Sequence, residues 1–159
     1  MDVAVNTGYE KAEFMVGGRQ VNLLLTENAD AVARQVVSDG LDDYNVSITG
    51  VSDNTPLDVL ITDPDSGETI GGLVGRTSLG LLFINYFFLP TDLRRTGLGS
   101  RILNMAETEA RARGCKEAVL FTISFQAPGF YERHGYARFG EIPCDPEGTS
   151  RIFMRKALV

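Results

Sequence analysis

The segment Arg94-Arg95-Thr96-Gly97-Leu98-Gly99 joins the apolar run of residues 81–89 to a stretch whose helical periodicity begins at Leu98. Glycines let the backbone approach a ligand closely, and the first N–H groups of a helix lack intrahelical partners. The helix dipole also favours negative charge at this end. Because two arginines precede the turn, the segment predicts an anion site, with a pyrophosphate as the expected ligand.

The residues after the glycine turn predict a helix followed by a buried strand. An apolar stripe at helical spacing comprises Leu98, Ile102, Leu103, Met105, Ala106 and Ala110. Glu107 with Arg111 and Glu109 with Arg113 form i,i+4 pairs on the other side of this helix. Residues 118–123 are a continuous apolar run, typical of a strand buried on both faces. Together these elements predict a parallel βαβ unit, whose ligands lie beyond the carboxyl ends of the strands.

Length and composition predict one globular domain without metal or nucleic acid. The chain has 159 residues, is 43% hydrophobic and carries a net charge of −6, which argues against nucleic acid as a partner. Two cysteines and one histidine give no disulfide framework and no metal site. The longest apolar run is shorter than a membrane span, and the N-terminus lacks the basic start of a signal peptide. We therefore expect no membrane partner and a cytoplasmic location.

Charge is distributed unevenly along the chain. Residues 27–75 contain ten acidic residues and one basic residue, Arg34. A basic cluster follows in and around the glycine segment, formed by Arg94, Arg95, Arg101, Arg111 and Arg113. One interpretation is a solvated surface, since charge runs usually coat solvent-facing sides. The other is a bipolar cleft, with a basic end for a phosphorylated cofactor and an acidic end for a cationic acceptor.

The first third of the chain has weaker patterns. Residues 1–18 lack clear periodicity, and we expect a mobile or loosely packed extension there. Residues 21–25 are a short strand candidate. Asn28 or Asp30 is suited to cap a helix that reaches about residue 38 and ends at Gly40. A second short helical piece is predicted around Tyr44.

The remaining patterns complete a mixed sheet. Residues 57–62 and 69–76 flank a strong turn signal and predict a β-hairpin, followed by an antiparallel strand over 79–89. Pro128 suits the first turn of a helix that reaches His134 and stops at Gly135. Residues 136–142 and 151–158 are the final strands. The order β-α-α-β-β-β-α-β-α-β-β predicts an α/β fold, a central splayed mixed sheet with helices on both faces.

A second motif leads to a family resemblance. The segment Phe130-Tyr131-Glu132-Arg133-His134-Gly135-Tyr136 follows the βαβ unit. Together with Arg94-x-x-Gly97-x-Gly99 it resembles the GCN5-related N-acetyltransferase (GNAT) family, from about residue 57 to 158 and more weakly over 21–50. The resemblance implies one acyl-CoA N-acyltransferase domain over residues 19–159, with acetyl-CoA as co-substrate and no metal.

The resemblance also implies roles for individual residues. The pyrophosphate would be wrapped by Arg94, Arg95, Thr96, Gly97, Leu98 and Gly99. Phe87 and Leu89 stand on the strand whose backbone pairs with the pantetheine arm, and Ser124 stands where the family often has a cofactor-contacting asparagine. Tyr131 takes the place of the general acid toward the departing thiolate. Tyr44 and Asn45 occupy the region that shapes the acceptor pocket, and family members frequently form homodimers.

The chain departs from the family at the general base. Some members carry a carboxylate on the strand corresponding to residues 81–89, and this strand has none. Asn85 is its only hydrophilic amide; it is suited to hold a catalytic water but cannot accept a proton. His134 is a second candidate base, since histidine often serves as one, yet its place at a helix C-terminus also suits a dipole cap.

Three functions compete at this level. The leading one is acetyl-CoA-dependent N-acetylation of a primary amine, on a small molecule or peptide, by direct attack on the thioester. A non-catalytic acyl-CoA binding or sensing module would explain the missing carboxylate. A nicotinamide oxidoreductase is disfavoured because Ile102 fills the third glycine position of a dinucleotide motif.

Overall fold

A computed structural model of the chain describes residues 11–159. The chain divides into two compact units, residues 1–50 and residues 51–159. This division lies at Gly50 and not at the predicted boundary of residue 18, and the assignment of residues 19–159 to one catalytic domain stays a prediction.

The first unit begins with a β-hairpin. Strands β1 (Lys11–Val16) and β2 (Arg19–Leu24) pair antiparallel, and Gly17 and Gly18 between them have φ of +58° and +79°. Two such residues make the tight turn that matches the twist of a hairpin. Residues 11–18 thus contain a strand and a turn that the sequence analysis did not predict, and the prediction that they are mobile or loosely packed stays a prediction. Residues 1–10 of that prediction lie outside the described residues.

One continuous helix, α1 (Ala31–Thr49), completes the first unit. The Asp30 side chain, one of the two predicted candidates, caps it by accepting from the Ala33 N–H at 2.6 Å. Gly50, with φ of +69°, ends it by donating its N–H to the Val46 carbonyl at 2.8 Å. The prediction of two helices separated at Gly40 is wrong. A glycine inside a helix costs only about 1 kcal/mol relative to alanine, which a long helix tolerates.

Residues 51–159 contain a six-stranded mixed sheet in the order β3-β4-β5-β6-β8-β7. Its strands are β3 (Thr55–Thr62), β4 (Thr69–Ser78), β5 (Leu81–Phe88), β6 (Glu117–Ile123), β7 (Ala137–Cys144) and β8 (Thr149–Ala157). Helix α2 (Leu98–Ala112) joins β5 to β6, and helix α3 (Pro128–Arg133) follows β6. β5 and β6 are parallel and the other neighbours antiparallel. The predicted hairpin, βαβ unit and mixed α/β class are confirmed.

β5 contains a bulge that reorients its second half. Tyr86 pairs with Val74 and Ile84 pairs with Gly75, so Asn85 is the extra residue. Before the bulge Leu82 and Ile84 are buried in the core.

Past the bulge the core-facing positions are Phe87 and Leu89, which pack against the same core as Leu82 and Ile84. The buried residues of this core include Leu57, Leu73, Leu82, Ile84, Ile102, Leu103, Ala106, Leu120, Ile152 and Met154. Helix α2 contacts β3, β4 and β5 over this core. Among the helices in residues 11–159, none is long and apolar enough to cross a membrane.

Candidate active site

The sheet opens between its two central strands. β5 pairs with β6 only from Leu81 opposite Glu117 to Ile84 opposite Leu120. β6 continues beside β8 as far as Ile123, while β5 continues beside β4 alone. The parting begins at Ile84, immediately before the bulge at Asn85. Backbone groups of β5 past the bulge therefore face a gap in the sheet, which we call the β5–β6 gap.

The predicted anion segment lies directly beyond β5. A single 3-10 turn (Thr91–Leu93) leads into residues 94–99, here called the phosphate loop. Arg95 has φ of +62°, and Gly97, with φ of +85°, precedes the first turn of α2 without a capping side chain. A non-glycine residue in the left-handed region costs about 1–2 kcal/mol. Such strain clusters at ligand sites.

Side chains of the loop brace it from within. Arg94 Nε donates to the Leu89 carbonyl at 3.0 Å, which ties the arginine to the end of β5. Thr96 Oγ1 donates to the Leu93 carbonyl at 2.8 Å and accepts from the Leu98 N–H at 3.4 Å. Residues 94–97 are exposed. The Thr96 hydroxyl proton is thus used inside the loop, while the guanidinium groups of both arginines face solvent.

The two glycines of the loop differ in their surroundings. A Cβ added to Gly97 would meet nothing within 4 Å, so its backbone is open to an approaching ligand. A Cβ on Gly99 would lie 3.1 Å from Leu89 Cδ1 and 3.5 Å from the Phe130 ring. The missing side chain of Gly99 therefore makes room for the core, and the expected approach of a ligand to its backbone stays a prediction.

Helix α3 carries Tyr131 into the core side of the site. The Phe130 ring lies edge-on to the rings of Phe87 and Tyr131, at centroid distances of 6.0 and 5.2 Å. Tyr131 is 8% exposed, and desolvation by burial raises its pKa to about 12. Its hydroxyl has no hydrogen-bond partner in residues 11–159, and the hydroxyl oxygen is not completely buried. The phenol proton is therefore available to a ligand.

His134 is bonded through both ring nitrogens. Nδ1 lies 2.8 Å from the Phe130 carbonyl oxygen and Nε2 lies 2.9 Å from Ser100 Oγ. Because a carbonyl only accepts, Nδ1 carries the proton and Nε2 accepts from the Ser100 hydroxyl. This arrangement leaves no ring nitrogen open as a general base and links α3 to the first turn of α2.

The other predicted site residues are distributed over three places. Ser124 follows β6, where its Oγ accepts from the Ser150 N–H at 3.1 Å. Asn85 is exposed at the bulge, beside the gap. Tyr44 and Asn45 lie on α1 in the first unit, and their proposed contact with an acceptor stays a prediction.

Two arginines of the predicted basic cluster lie away from the phosphate loop and bond backbone carbonyls. Arg111 bonds the Leu158 carbonyl at 2.8 Å, and Arg113 bonds the Pro56 carbonyl at 2.9 Å, both at the far end of α2. Only Arg94, Arg95 and Arg101 of the basic cluster stand near the phosphate loop.

Acidic residues of the stretch 27–75 also serve the fold. Asp58 accepts from the Gly75 N–H, and Asp53 accepts from the Leu79 N–H. Hydrogen bonds from the backbone and hydroxyl of Ser66, and from the Asp65 N–H, lower the pKa of Asp63. Within the described part of the chain, no group of three metal-binding side chains occurs.

Sequence reasoning missed one buried polar cluster. Glu107 forms the predicted pair with Arg111 at 3.4 Å, but it is 3% exposed and not on the solvent side of α2. Its carboxylate also bonds Lys156 Nζ at 2.6 Å and the Tyr136 hydroxyl at 3.1 Å. The partners come from distant parts of the chain, so helical spacing alone could not identify them.

Comparison with known proteins identifies the family. A sequence model described as the acetyltransferase (GNAT) family matches residues 28–136. An acetyltransferase of Agrobacterium fabrum is 37% identical over 136 residues, which cover 86% of this chain and 98% of that protein. The chain belongs to the acetyltransferase (GNAT) family. Family membership identifies it as an N-acetyltransferase, and the resemblance inferred from the two motifs is confirmed.

Two further similar proteins are also named acetyltransferases. The blasticidin-S acetyltransferase of Streptomyces morookaense is 38% identical over 112 residues, covering 68% of this chain and 82% of that protein. A crystal structure of a putative acetyltransferase from Agrobacterium tumefaciens superposes with a TM-score of 0.77. Its sequence is 36% identical, and the match covers 86% of this chain and 99% of that protein's chain. Neither the oxidoreductase nor the binding-module alternative is supported by these relatives.

Proposed function

We propose that this GNAT enzyme transfers the acetyl group of acetyl-CoA to a primary amine by direct attack on the thioester. The observation that carries the proposal is the parting of β5 from β6 after Ile84, on the strand that leads into the phosphate loop. A linear ligand with a pyrophosphate at one end fits such an arrangement, with the charged end at the loop and the arm in the gap.

The loop supplies the chemistry for the pyrophosphate. Arg94 and Arg95 provide charge, Gly97 leaves the backbone open, and the first turn of α2 offers N–H groups and the positive end of a helix dipole. The backbone of Phe87, on the unpaired side of β5, would bond the amides of the pantetheine arm. Leu98 and Leu89 hold the loop on the core, and Ser124 Oγ retains a proton to donate across the gap.

The reaction replaces the carbon–sulfur bond of the thioester by a carbon–nitrogen bond, and overall the nitrogen loses one proton and the sulfur gains one. The neutral amine nitrogen attacks the thioester carbonyl carbon, the carbon–sulfur bond breaks, and coenzyme A leaves as a thiolate that takes up a proton. Tyr131 would donate to this thiolate. With the buried phenol at a pKa of about 12 and a thiol at its aqueous pKa of about 8.5, full proton transfer from Tyr131 is uphill by about 5 kcal/mol. Tyr131 therefore acts by hydrogen bonding, and desolvation of the thiolate strengthens that bond.

The amine reaches its reactive form without a carboxylate from β5. A lysine-like amine has a reference pKa of about 10.4, so nearly all of it is protonated at neutral pH. Asn85, exposed at the bulge beside the gap, would hold the water that carries the proton away. His134 is excluded from this role because both its ring nitrogens are bonded.

A small cationic amine is the acceptor we propose. The blasticidin-S acetyltransferase is a relative named for a small-molecule substrate. The acidic excess over residues 27–75 favours a cation by raising its local concentration. Tyr44 and Asn45 on α1 are the proposed acceptor contacts.

The test is release of free thiol from acetyl-CoA across a panel of amines, with calorimetric binding of coenzyme A alongside. We expect coenzyme A to bind and at least one cationic small amine to be acetylated, with the product verified by its mass. A protein that binds coenzyme A but acetylates no amine in a panel of polyamines, aminoglycosides, nucleoside antibiotics and peptides would overturn the proposal. No binding of coenzyme A would overturn the assignment of the phosphate loop.

A further inference from the structure

Helix α2 holds the Tyr131 segment at two points. The Ser100 hydroxyl bonds His134 Nε2 at 2.9 Å, and Glu107 Oε1 accepts from the Tyr136 hydroxyl at 3.1 Å. Ser100 and Glu107 stand about two turns apart, so they lie on the same side of the helix. We call these contacts the two anchor pairs.

The Glu107 anchor is fully engaged by its surroundings. Lys156 Nζ at 2.6 Å and an Arg111 nitrogen at 3.4 Å both contact Oε2, which leaves Oε1 for Tyr136. A buried carboxylate persists only when its charge is paired and hydrogen-bonded. Burial and the Glu107 charge raise the pKa of Tyr136 strongly, so the Tyr136 hydroxyl remains a donor and its ring is fixed.

Tyr131 precedes His134 and Tyr136 in the chain; its ring contacts Tyr136 directly and is linked to His134 through Phe130. Its ring is edge-on to Tyr136, with centroids 5.7 Å apart, and to Phe130, at 5.2 Å. Phe130 in turn supplies the carbonyl that fixes His134, whose ring packs on it at 4.4 Å. The Tyr131 hydroxyl has no hydrogen-bond partner in the described part of the chain, so the packing of its ring, in which Tyr136 and Phe130 take part, orients it.

We propose that Ser100 and Glu107 are positioning residues for acetyl transfer, which hold the Tyr131 hydroxyl in place through His134 and Tyr136. This inference rests on the proposed function, because the thiolate is the group that Tyr131 meets. It assigns a task to side chains that neither bind the ligand nor react.

The kinetic test uses the smallest changes available. Tyr136→Phe removes one hydroxyl and keeps the ring, and we expect kcat to fall by about three- to thirtyfold with the coenzyme A Kd unchanged within about twofold. Ser100→Ala should lower kcat similarly, and Ser100→Thr, which keeps a hydroxyl, should restore most of it. Glu109→Gln on the same helix breaks an exposed ion pair with Arg113 and should leave kcat unchanged.

The decisive comparison places the same changes in a Tyr131→Phe background. If the anchor pairs act through the Tyr131 hydroxyl, Tyr136→Phe and Ser100→Ala should have no further effect on kcat there. A purely structural role would lower kcat by the same factor in both backgrounds, and that result overturns the proposal. Ser100→Ala keeps the test open if Tyr136→Phe folds poorly.

Ring NMR of labelled tyrosine gives a readout independent of activity. The Tyr131 signal, assigned by its loss in Tyr131→Phe, should shift or broaden in Tyr136→Phe and Ser100→Ala but not in Glu109→Gln. An unchanged Tyr131 signal in both anchor variants overturns the positioning role even if acetylation is found. A responsive signal in a protein that acetylates no amine supports the positioning and overturns the proposed function alone.

Discussion

Gly99 and Leu89 meet so closely that a single added carbon would crowd them. A Cβ on Gly99 would lie 3.1 Å from Leu89 Cδ1, which is tighter than an ordinary van der Waals contact. The phosphate loop is therefore docked on the end of β5 through a residue that faces the core, while Gly97 beside it faces open space. The same motif thus serves packing at one glycine and ligand approach at the other.

Gly99→Val should destabilise the fold by about 1–3 kcal/mol, because overpacking displaces Leu89 or the Phe130 ring. Urea unfolding measures the cost. In a Leu89→Ala background, where the crowding atom is gone, the same substitution should cost less. Equal costs in the two backgrounds would show that Leu89 is not the group that Gly99 accommodates.

Arg95→Gly should raise stability and weaken coenzyme A binding together. Relief of its left-handed conformation, with φ of +62°, stabilises the fold by about 1 kcal/mol, while loss of the guanidinium lowers the affinity for the anion about tenfold. Leu79→Gly is the matched control, since Leu79 also has a positive φ, of +48°, in the turn between β4 and β5. It should gain stability without any change in calorimetric affinity; unaltered affinity in Arg95→Gly would remove that arginine from the site.

Tyr131→Phe should lower kcat by roughly ten- to a thousandfold with little change in the KM for acetyl-CoA. The phenol meets the thiolate only as the carbon–sulfur bond breaks, so its contribution belongs to the transition state. Steady-state kinetics under chemistry-limited conditions measure the change. An unaltered kcat would reduce Tyr131 to a packing residue.

The raised pKa of Tyr131 bears on the pH dependence of activity and of stability. The folded pKa is about 12 against 10 in the unfolded chain, so the phenol stays protonated from pH 6.5 to 9. Over that range only the amine loses a proton, and kcat/KM should therefore rise with pH. Between about pH 10 and 12 the unfolded chain loses this proton first, so stability falls as pH rises. Urea unfolding should show a shallower alkaline decline for Tyr131→Phe, and an identical decline would contradict the raised pKa.

Ionic strength tests the acidic half of the chain. For a cationic acceptor at saturating acetyl-CoA, kcat/KM should fall as salt rises from about 0.05 to 0.5 M, because screening weakens long-range attraction. A neutral acceptor of similar size is the control and should respond little. Preference for an uncharged or anionic acceptor at every salt concentration would show that the acidic residues serve only turns and solvation.

The elements that sequence patterns predicted correctly are those with local causes. The periodicity after Leu98, the apolar run of β6 and the Asp30 cap each depend on neighbours within one or two turns. The misses have two sources. Glycine permits a turn but does not require one: a turn forms at Gly17-Gly18, where the flanking segments pair as strands, and none forms at Gly40, which lies inside α1.

The other misses concern partners far apart in the chain. Glu107 reaches Tyr136 and Lys156, and Ser100 reaches His134, contacts that only the folded sheet and helices create. The two motifs could thus be found from the sequence, and the site roles of their residues stay predictions, whereas the residues that contact them from distant parts of the chain could not be identified.

The bulge at Asn85 shifts the alternation of side chains along β5 by one residue. Even-numbered residues face the core before it and odd-numbered residues after it. If Asn85 were paired in a regular ladder instead of bulged, Phe87 and Leu89 would turn outward, with Tyr86 and Phe88 driven in. Deletion of Asn85 would remove the extra residue and leave Phe87 and Leu89 facing the core. One unpaired residue therefore sets which side chains of the strand beyond it face the core.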